Sequence, residues 1–204
     1  VENFVENPKA LFVFAHGAGA DMHHDFMAQI TLLMNAADIN VIRFNFPYMI
    51  KRAQDGKRRP PDRMPALLAS YLAELTALAT SLPIFIGGKS MGGRVAATLS
   101  NECSVNIQGV ICLSYPFHPV KKPLNLRLAP LQANNKPMLI IQGERDPLGN
   151  AQEIKQYDLP DLCQVHFLHD GDHDLKPRVK SGFTQQQHLI AAVTAMVAFI
   201  NEYS

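Results

Sequence analysis

The segment PIFIGGKSMGGRVAATLS, residues 83–100, joins an apolar run directly to a helical pattern through a turn rich in glycine. The apolar residues 84–86 predict a short buried strand, and the apolar spacing that follows predicts a helix over 91–102. The turn between them must be tight, which glycine allows because a residue without a Cβ atom can lie against neighbouring backbone. Ser90 is the polar residue at the apex of this turn.

The rest of the chain repeats this alternation of apolar and amphipathic segments. Strands are predicted over residues 10–16, 40–46, 83–88, 107–117, 136–144 and 163–169. Helices are predicted over residues 24–37, 61–80, 91–102, 150–157 and 184–202, with a basic loop before the second helix. Continuously apolar strands that alternate with helices imply a parallel sheet covered on both faces. The sequence therefore predicts a three-layer α/β/α sandwich with about six mostly parallel strands.

Composition limits the classes of protein that fit. The 204 residues, 47% of them hydrophobic, suffice for one domain over residues 1–204 with a sizeable core. The charged fraction of 18% and the net charge of +1 argue against disorder and against a general nucleic-acid binder. The longest apolar run, residues 189–200, is too short to span a bilayer, so we expect no membrane partner.

The cysteines and the N-terminal stretch indicate a cellular compartment. Cys103, Cys112 and Cys163 are odd in number and form no C-x-x-C pattern. This usage is typical of reduced core thiols rather than disulfides or zinc ligands. The first ten residues carry acids and no apolar core of a signal peptide. We therefore expect a cytoplasmic protein.

Residues 88–92, GKSMG, match the pattern G-x-S-x-G in the strand–turn–helix context that it requires. Such a turn lifts the serine hydroxyl above the sheet, where the helix N-terminus points its free N–H groups at the site. Ser90 is therefore a candidate nucleophile. A helix-capping serine and a phosphate-binding loop are the alternatives, but the first glycine of G-x-x-x-x-G-K-[ST] is missing ahead of Lys89.

A serine hydroxyl needs a base, and the later strands supply candidates in the order that the pattern demands. Asp146 comes just after the fifth predicted strand, and His173 just after the sixth. Because parallel strands end at one edge of the sheet, we expect both residues near Ser90. Glu144 could replace Asp146 as the acid, and His169 could replace His173 as the base.

The acidic and histidine-rich segments 169–174 and 23–25 also resemble a metal cluster. Their spacing fits no standard zinc pattern, and a Ser-His-Asp arrangement already accounts for His173, so we predict no metal and no cofactor. Residues 16–19, HGAG, follow the first strand, where such a loop turns backbone N–H groups toward the nucleophile. The N–H groups of Met91 and Ala18 are the predicted oxyanion hole.

Taken together, these residues resemble the α/β-hydrolase superfamily over nearly the whole chain. The motifs that carry the resemblance are HGAG at 16–19, GKSMGG at 88–93, ERD at 144–146 and GDHD at 171–174. Within the superfamily, the compact size and the first two motifs are most similar to one branch. That branch includes a small testis-expressed protein, the hydrolase-like domain of a non-specific-lethal chromatin-complex subunit, and bacterial members.

The chain departs from larger superfamily members in two places. The first apolar strand begins near residue 10, so the N-terminal antiparallel strands of larger hydrolases are missing or reduced. Residues 118–136 are too few for the lid domain that many members insert there. The short segment suggests an open site, and the resemblance implies a serine hydrolase that cleaves an ester, thioester or similarly activated acyl group of a small substrate. An interaction module that keeps the fold without turnover and a peptidase are the alternatives.

Positive charge is concentrated in residues 51–63, 121–127 and 176–180, which together hold 12 basic and 2 acidic residues. All three segments follow predicted strands, so we expect them around the edge that carries Ser90. Clustered positive charge raises the local concentration of anionic ligands. Lys57, Arg58 and Arg59 are therefore predicted to bind substrates with a carboxylate or phosphate, although solvated surface charge is the simpler interpretation.

Overall fold

The structure, a computed structural model, describes residues 5–204 and contains within them one six-stranded parallel sheet. Its strands are β1 (Ala10–Ala15), β2 (Ile39–Phe44), β3 (Ile84–Lys89), β4 (Gly109–Leu113), β5 (Met138–Gly143) and β6 (Cys163–Leu168). The strand order is β2-β1-β3-β4-β5-β6, so the chain reverses direction across the sheet after β2. Residues 1–4, which begin the predicted domain and the stretch searched for a signal peptide, lie outside the described part.

Helices cover both faces of the sheet. They are α1 (Asp25–Asn35), α2 (Pro47–Asp55), α3 (Met64–Thr76), α4 (Met91–Leu99), α5 (Ala129–Gln132), α6 (Ala151–Ile154) and α7 (Gln185–Tyr203). Buried residues of α1 and α7 pack on one face, and those of α2 to α6 on the other. The predicted three-layer α/β/α sandwich is confirmed. Among residues 5–204, no helix is both long and apolar enough to cross a bilayer.

Several helix boundaries differ from the sequence-based expectation: α4 ends at Leu99 rather than at residue 102, and α6 covers four residues of the predicted 150–157. Helix α2 occupies part of the predicted basic loop: it begins at Pro47 and ends where Gly56 adopts a left-handed conformation with φ 70°. Its large apolar residues lie only in the first turn, so the helical period is too brief to recognise in the sequence. Helix α3 begins at Met64 rather than at residue 61, because the Asp62 carboxylate accepts the N–H of Tyr48 instead of lying in the first turn of α3.

The connection between β4 and β5 is as short as the sequence predicted. Residues 118–136 form turns and the four-residue helix α5. Exposed side chains dominate residues 119–126 of this connection. This connection therefore holds no inserted lid domain.

The turn after β3 packs unusually close to the end of β1. A Cβ atom on Gly88 would lie 2.3 Å from the backbone of Gly92 and 2.7 Å from the carbonyl oxygen of Ala15. A Cβ atom on Gly92 would lie 2.5 Å from the same Ala15 oxygen. A Cβ atom at such distances would overlap the neighbouring backbone, so only glycine allows α4 to begin this near to β1.

Replacing Gly92 with alanine should therefore destabilise the fold. We expect Gly92→Ala to lower the free energy of unfolding by about 2–3 kcal/mol or more, because the added methyl forces β1 and α4 apart. Urea titration followed by circular dichroism measures the change. Gly19→Ala is the control, since its Cβ would meet nothing within 4 Å. Equal stability of the two variants would contradict the role given to the close approach.

Candidate active site

Ser90 lies between β3 and α4 in a strained backbone conformation, with φ 52° and ψ −113°. A non-glycine residue with positive φ costs about 1–2 kcal/mol, so surrounding contacts must hold it there. One of them is the hydrogen bond that the Ser90 N–H donates to the carbonyl of Leu113 at 2.8 Å. The Ser90 side chain makes no capping bond to α4. The hydroxyl is thus available to another partner.

That partner is His173, although 83 positions separate the two residues in sequence. His173 Nε2 lies 2.9 Å from Ser90 Oγ, and His173 Nδ1 lies 2.8 Å from Asp146 Oδ2. An ionised carboxylate accepts a hydrogen bond from the N–H at Nδ1, which leaves the lone pair of Nε2 free to accept the serine proton. The structure therefore brings together the predicted Ser90, Asp146 and His173 in an arrangement that can activate a hydroxyl.

Asp146 is fully buried, and protein donors surround its carboxylate. Its Oδ1 accepts the N–H of Leu148 at 2.9 Å, and its Oδ2 accepts a bond from Gln142 Nε2 at 3.0 Å. Gln142 Nε2 also lies 2.9 Å from the carbonyl of Gly149. Sequence analysis missed Gln142, although a polar residue inside the apolar strand β5 was the available signal. Its amide orients the carboxylate toward His173.

The two rival residues, Glu144 and His169, contact each other instead of Ser90. Glu144 Oε2 lies 3.0 Å from His169 Nδ1 and accepts the N–H of Asp170 at 2.9 Å. The His169 side chain is 63% exposed. Within residues 5–204, no group of three or more histidine, cysteine or acidic residues is placed to hold a metal ion. The histidine-rich segment instead forms turns of the loop that carries His173.

Several contacts hold this loop, residues 170–176, in place. The hydrogen bonds and positive charge of Arg178, together with Arg145, hold the pKa of Asp170 below its ordinary value. Asp172 Oδ1 accepts the N–H groups of Asp174 at 2.9 Å and Lys176 at 3.0 Å. The loop is thus ordered on both sides of His173 by charged side chains of the loop and its neighbours.

The loop after β1, residues 16–19, lies against Ser90. His16 is buried; its Nε2 accepts the N–H of Phe46 at 3.0 Å, and its Nδ1 lies 2.7 Å from the carbonyl of Gly17. The hydroxyl of Tyr48 lies 3.1 Å from the carbonyl of Ala18. Side chains thus hold the carbonyls of this loop. Met91 is the first residue of α4, and N–H groups at a helix start lack partners within the helix.

A cleft of about 780 Å³ opens beside Ser90 and His173. It is formed by the loop after β1, the start of α1 and the middle of α2, and Ala18 is part of its wall. Its cationic residues are Arg52 and Lys89, neither of which the sequence analysis selected. Its carboxylates are Asp21, Asp25 and Asp174.

The structure does not place the predicted Lys57, Arg58 and Arg59 in the wall of this cleft. Arg59 instead binds Asp55, with Nη1 2.7 Å from Oδ1, and this hydrogen bond lowers the pKa of Asp55 to about 2. The three residues follow the C-terminal end of α2, beyond the part of that helix that lines the cleft. Their contact with substrate therefore stays a prediction, and the half-buried Arg52 is the basic residue of this segment that lines the cleft.

Fold and site together define a class of protein. Residues 8–201 match the family described as alpha/beta hydrolase domain. Because the match covers nearly the whole sequence, this chain belongs to the alpha/beta hydrolase family.

Solved structures with the same fold include esterases. Dienelactone hydrolase from Anabaena variabilis ATCC 29413 superposes with a TM-score of 0.74 at 17% identity, over 97% of this chain and 88% of that one. Est1E from Butyrivibrio proteoclasticus with ferulic acid bound gives 0.70 at 16% identity, over 96% and 90%. An esterase domain of a Rhodothermus marinus protein gives 0.69 at 13% identity, over 97% and 89%. At these identities the likeness extends to the fold alone.

The buried His16 makes stability depend on pH. Burial lowers its pKa below the ordinary value of 6.5, so the folded protein keeps it neutral while the unfolded chain takes up a proton. Stability is therefore fully present above about pH 6.5 and is lost as the pH falls, by up to about 1.4 kcal/mol per pH unit from this group. Urea titrations between about pH 7.5 and about pH 5.5 should show this loss.

His16→Gln is the matched variant, because glutamine keeps a donor and an acceptor but does not titrate. We expect its free energy of unfolding to decline less over the same interval, since the other groups titrate alike in both proteins. Parallel pH dependences of the wild type and the variant would show that His16 contributes no such linkage.

Proposed function

We propose that this protein is a serine hydrolase that cleaves an ester, thioester or related acyl bond of a small substrate. The observation that carries the proposal is the continuous contact from Asp146 through His173 to Ser90, at 2.8 and 2.9 Å. The strained conformation of Ser90 supports it, since strain at a functional turn persists only where the surroundings enforce it. The fold shared with esterases supports the cleavage of an ester-type bond but does not identify the substrate.

In the proposed reaction, Ser90 Oγ attacks the acyl carbon while its proton passes to His173 Nε2. The tetrahedral intermediate collapses, and His173 gives the proton to the departing alcohol or thiol, which leaves an acyl ester on Ser90. A water molecule then loses a proton to His173 and attacks this ester. The second tetrahedral intermediate collapses, His173 returns the proton to Ser90 Oγ, and the acid product leaves. Asp146 stays ionised and orients the imidazole throughout.

The N–H groups of Met91 and Ala18 are the proposed donors to the oxyanion. Met91 follows Ser90 at the start of α4, and Ala18 belongs to the cleft wall beside it. Donors fixed before the reaction stabilise the developing charge without reorganising. The hydrogen bonds of His16 and Tyr48 to the neighbouring carbonyls supply that fixation on the Ala18 side.

The cleft favours a compact acyl group. It opens beside Ser90 without an inserted lid domain in residues 118–136, so long chains gain no enclosing surface there. A substrate with a carboxylate or phosphate is a finer part of the proposal, supported by Arg52. This residue lines the cleft and forms no ion pair with a carboxylate within residues 5–204. The three carboxylates of the cleft limit the attraction to a modest one.

Finer assignments belong to the same proposal. The free thiols of Cys103, Cys112 and Cys163 fit a reducing compartment, so we place the protein in the cytoplasm. The motifs HGAG and GKSMGG support the branch with the testis-expressed protein and the chromatin-complex subunit. A non-catalytic interaction module is the second candidate, which the resemblance to the chromatin-complex subunit favours. A fluorophosphonate probe separates the two, because it labels only an activated serine.

Substitution of the three central residues tests the mechanism. We expect Ser90→Ala, Asp146→Asn and His173→Ala each to lower kcat/KM for a short acyl ester by about 1,000-fold or more, with losses that do not add because the residues act as a unit. Ser90→Ala should also abolish fluorophosphonate labelling. Glu144→Gln and His169→Ala are matched controls that should keep activity within about threefold. Full activity of Ser90→Ala would refute the mechanism.

The anionic preference is tested at Arg52. We expect Arg52→Gln to lower kcat/KM for an anionic ester by about 3–10-fold and to leave a neutral ester of matched size nearly unchanged, because one partly screened ion pair is lost. The triple variant Lys57→Gln, Arg58→Gln, Arg59→Gln should alter only the salt dependence of anionic substrates, through the longer-range field. Equal effects of Arg52→Gln on both esters would contradict the proposed preference for anionic substrates.

A further inference from the structure

Lys89 occupies the variable position before Ser90 in the pattern G-x-S-x-G, yet its side chain is buried, with only 9% exposed. Its Nζ donates a hydrogen bond to the backbone carbonyl of His173 and lies 3.4 Å from Asp174 Oδ1. The ammonium group therefore links the turn that carries the proposed nucleophile to the loop that carries the proposed base.

The surroundings of Lys89 make this link specific. The Nζ atom lies 5.4 Å from the centre of the Phe26 ring, within the range of a cation–π contact. The stem passes Gly17, whose Cβ would lie 3.7 Å from Lys89 Cγ. Burial lowers the pKa of Lys89, while the negative charges of Asp174 and Asp146 oppose that shift. A buried ammonium is costly unless it is hydrogen-bonded, so its contacts with residues 173–174 must offset that cost.

The contact matters because of how the chain reaches this point. Ser90 and His173 approach each other across 83 positions of sequence, and each comes from a separate loop. The hydrogen bond between the two side chains is one link between these loops, and the bond from Lys89 to the His173 carbonyl is a second. Lys89 is adjacent to Ser90 in sequence, and its side chain binds the backbone carbonyl of His173. It therefore restrains the separation of Ser90 and His173 directly.

We propose that Lys89 is a positioning residue that holds His173 at the distance and angle at which it can take the proton of Ser90. This inference rests on the proposed function. Without the ammonium, the carbonyl of His173 loses its donor and the loop gains freedom beside the nucleophile. Misplacement of a catalytic group by about 1 Å can cost about 100-fold in rate. Substrate binding in the cleft should change far less.

The decisive variant is Lys89→Met, which keeps the stem and removes the ammonium. We expect kcat to fall by about 30–100-fold with KM within about threefold, and the rate of fluorophosphonate labelling of Ser90 to fall in parallel. Lys89→Arg should recover part of the lost kcat, because it restores a charged donor. Lys155→Met is the matched control: it makes the same substitution at an exposed lysine outside the cleft and should keep kcat within about threefold.

A second readout does not need catalysis. Hydrogen exchange of the backbone amides in residues 170–176 should accelerate in Lys89→Met and remain near wild type in Lys155→Met. Wild-type protein that fluorophosphonate fails to label would refute the proposed function, whereas accelerated exchange in Lys89→Met would still support the restraint on the loop. The two failures are thus distinguishable.

Other results for the Lys89 variants would overturn the proposal. Folded Lys89→Met with kcat within about threefold of wild type would overturn the proposal, as would a raised KM with unchanged kcat, which marks a substrate-binding residue. If Lys89→Met does not fold, Lys89→Gln takes its place with the same expected loss. If neither neutral variant folds while Lys89→Arg folds with full activity, Lys89 serves folding rather than positioning, and the proposal fails.

Discussion

The site depends on a close approach of backbone to backbone, where the turn after β3 meets the end of β1. Gly88 and Gly92 lie so near the carbonyl oxygen of Ala15 that a side chain at either position would push the segments apart. This contact places Ser90 at the end of β3 and the loop of residues 16–19 beside it. The cleft and the donors proposed for the oxyanion follow from that placement, so one steric constraint sets the geometry of several functional groups.

Buried charges of opposite sign are a second organising feature. The Asp146 carboxylate is fully buried, and the Lys89 ammonium nearly so, on the same edge of the sheet. Each is hydrogen-bonded by protein groups, Asp146 by Gln142 and Lys89 by the His173 carbonyl. Isolated charges would be strongly disfavoured at such positions, and their mutual attraction is strengthened by the exclusion of water. Both therefore have to remain ordered around His173.

The sheet and the central residues of the site were predictable from sequence, because their signals are local. Apolar strands alternate with helices, and Ser90 carries its glycine-rich context in adjacent positions. No local sequence signal distinguishes Asp146 from Glu144, because both follow β5. Only the fold shows that Glu144 contacts His169. The position of Arg52 in the cleft could not be predicted, because it lies in a segment with several basic residues. Only the fold shows that Arg52 lines the cleft and that Lys57, Arg58 and Arg59 do not. Side-chain direction, unlike residue type, is set by tertiary packing.

The order of these elements has a consequence for biosynthesis. Ser90 follows the third strand, whereas His173 follows β6, the last strand in the described part of the chain. A nascent chain therefore carries the serine turn long before it carries the histidine, and β6 can pair with β5 only after residue 168 has emerged. Domains generally fold as units during synthesis. If the proposed mechanism holds, an unfinished chain cannot activate Ser90, and its hydroxyl becomes reactive only when the sheet is complete.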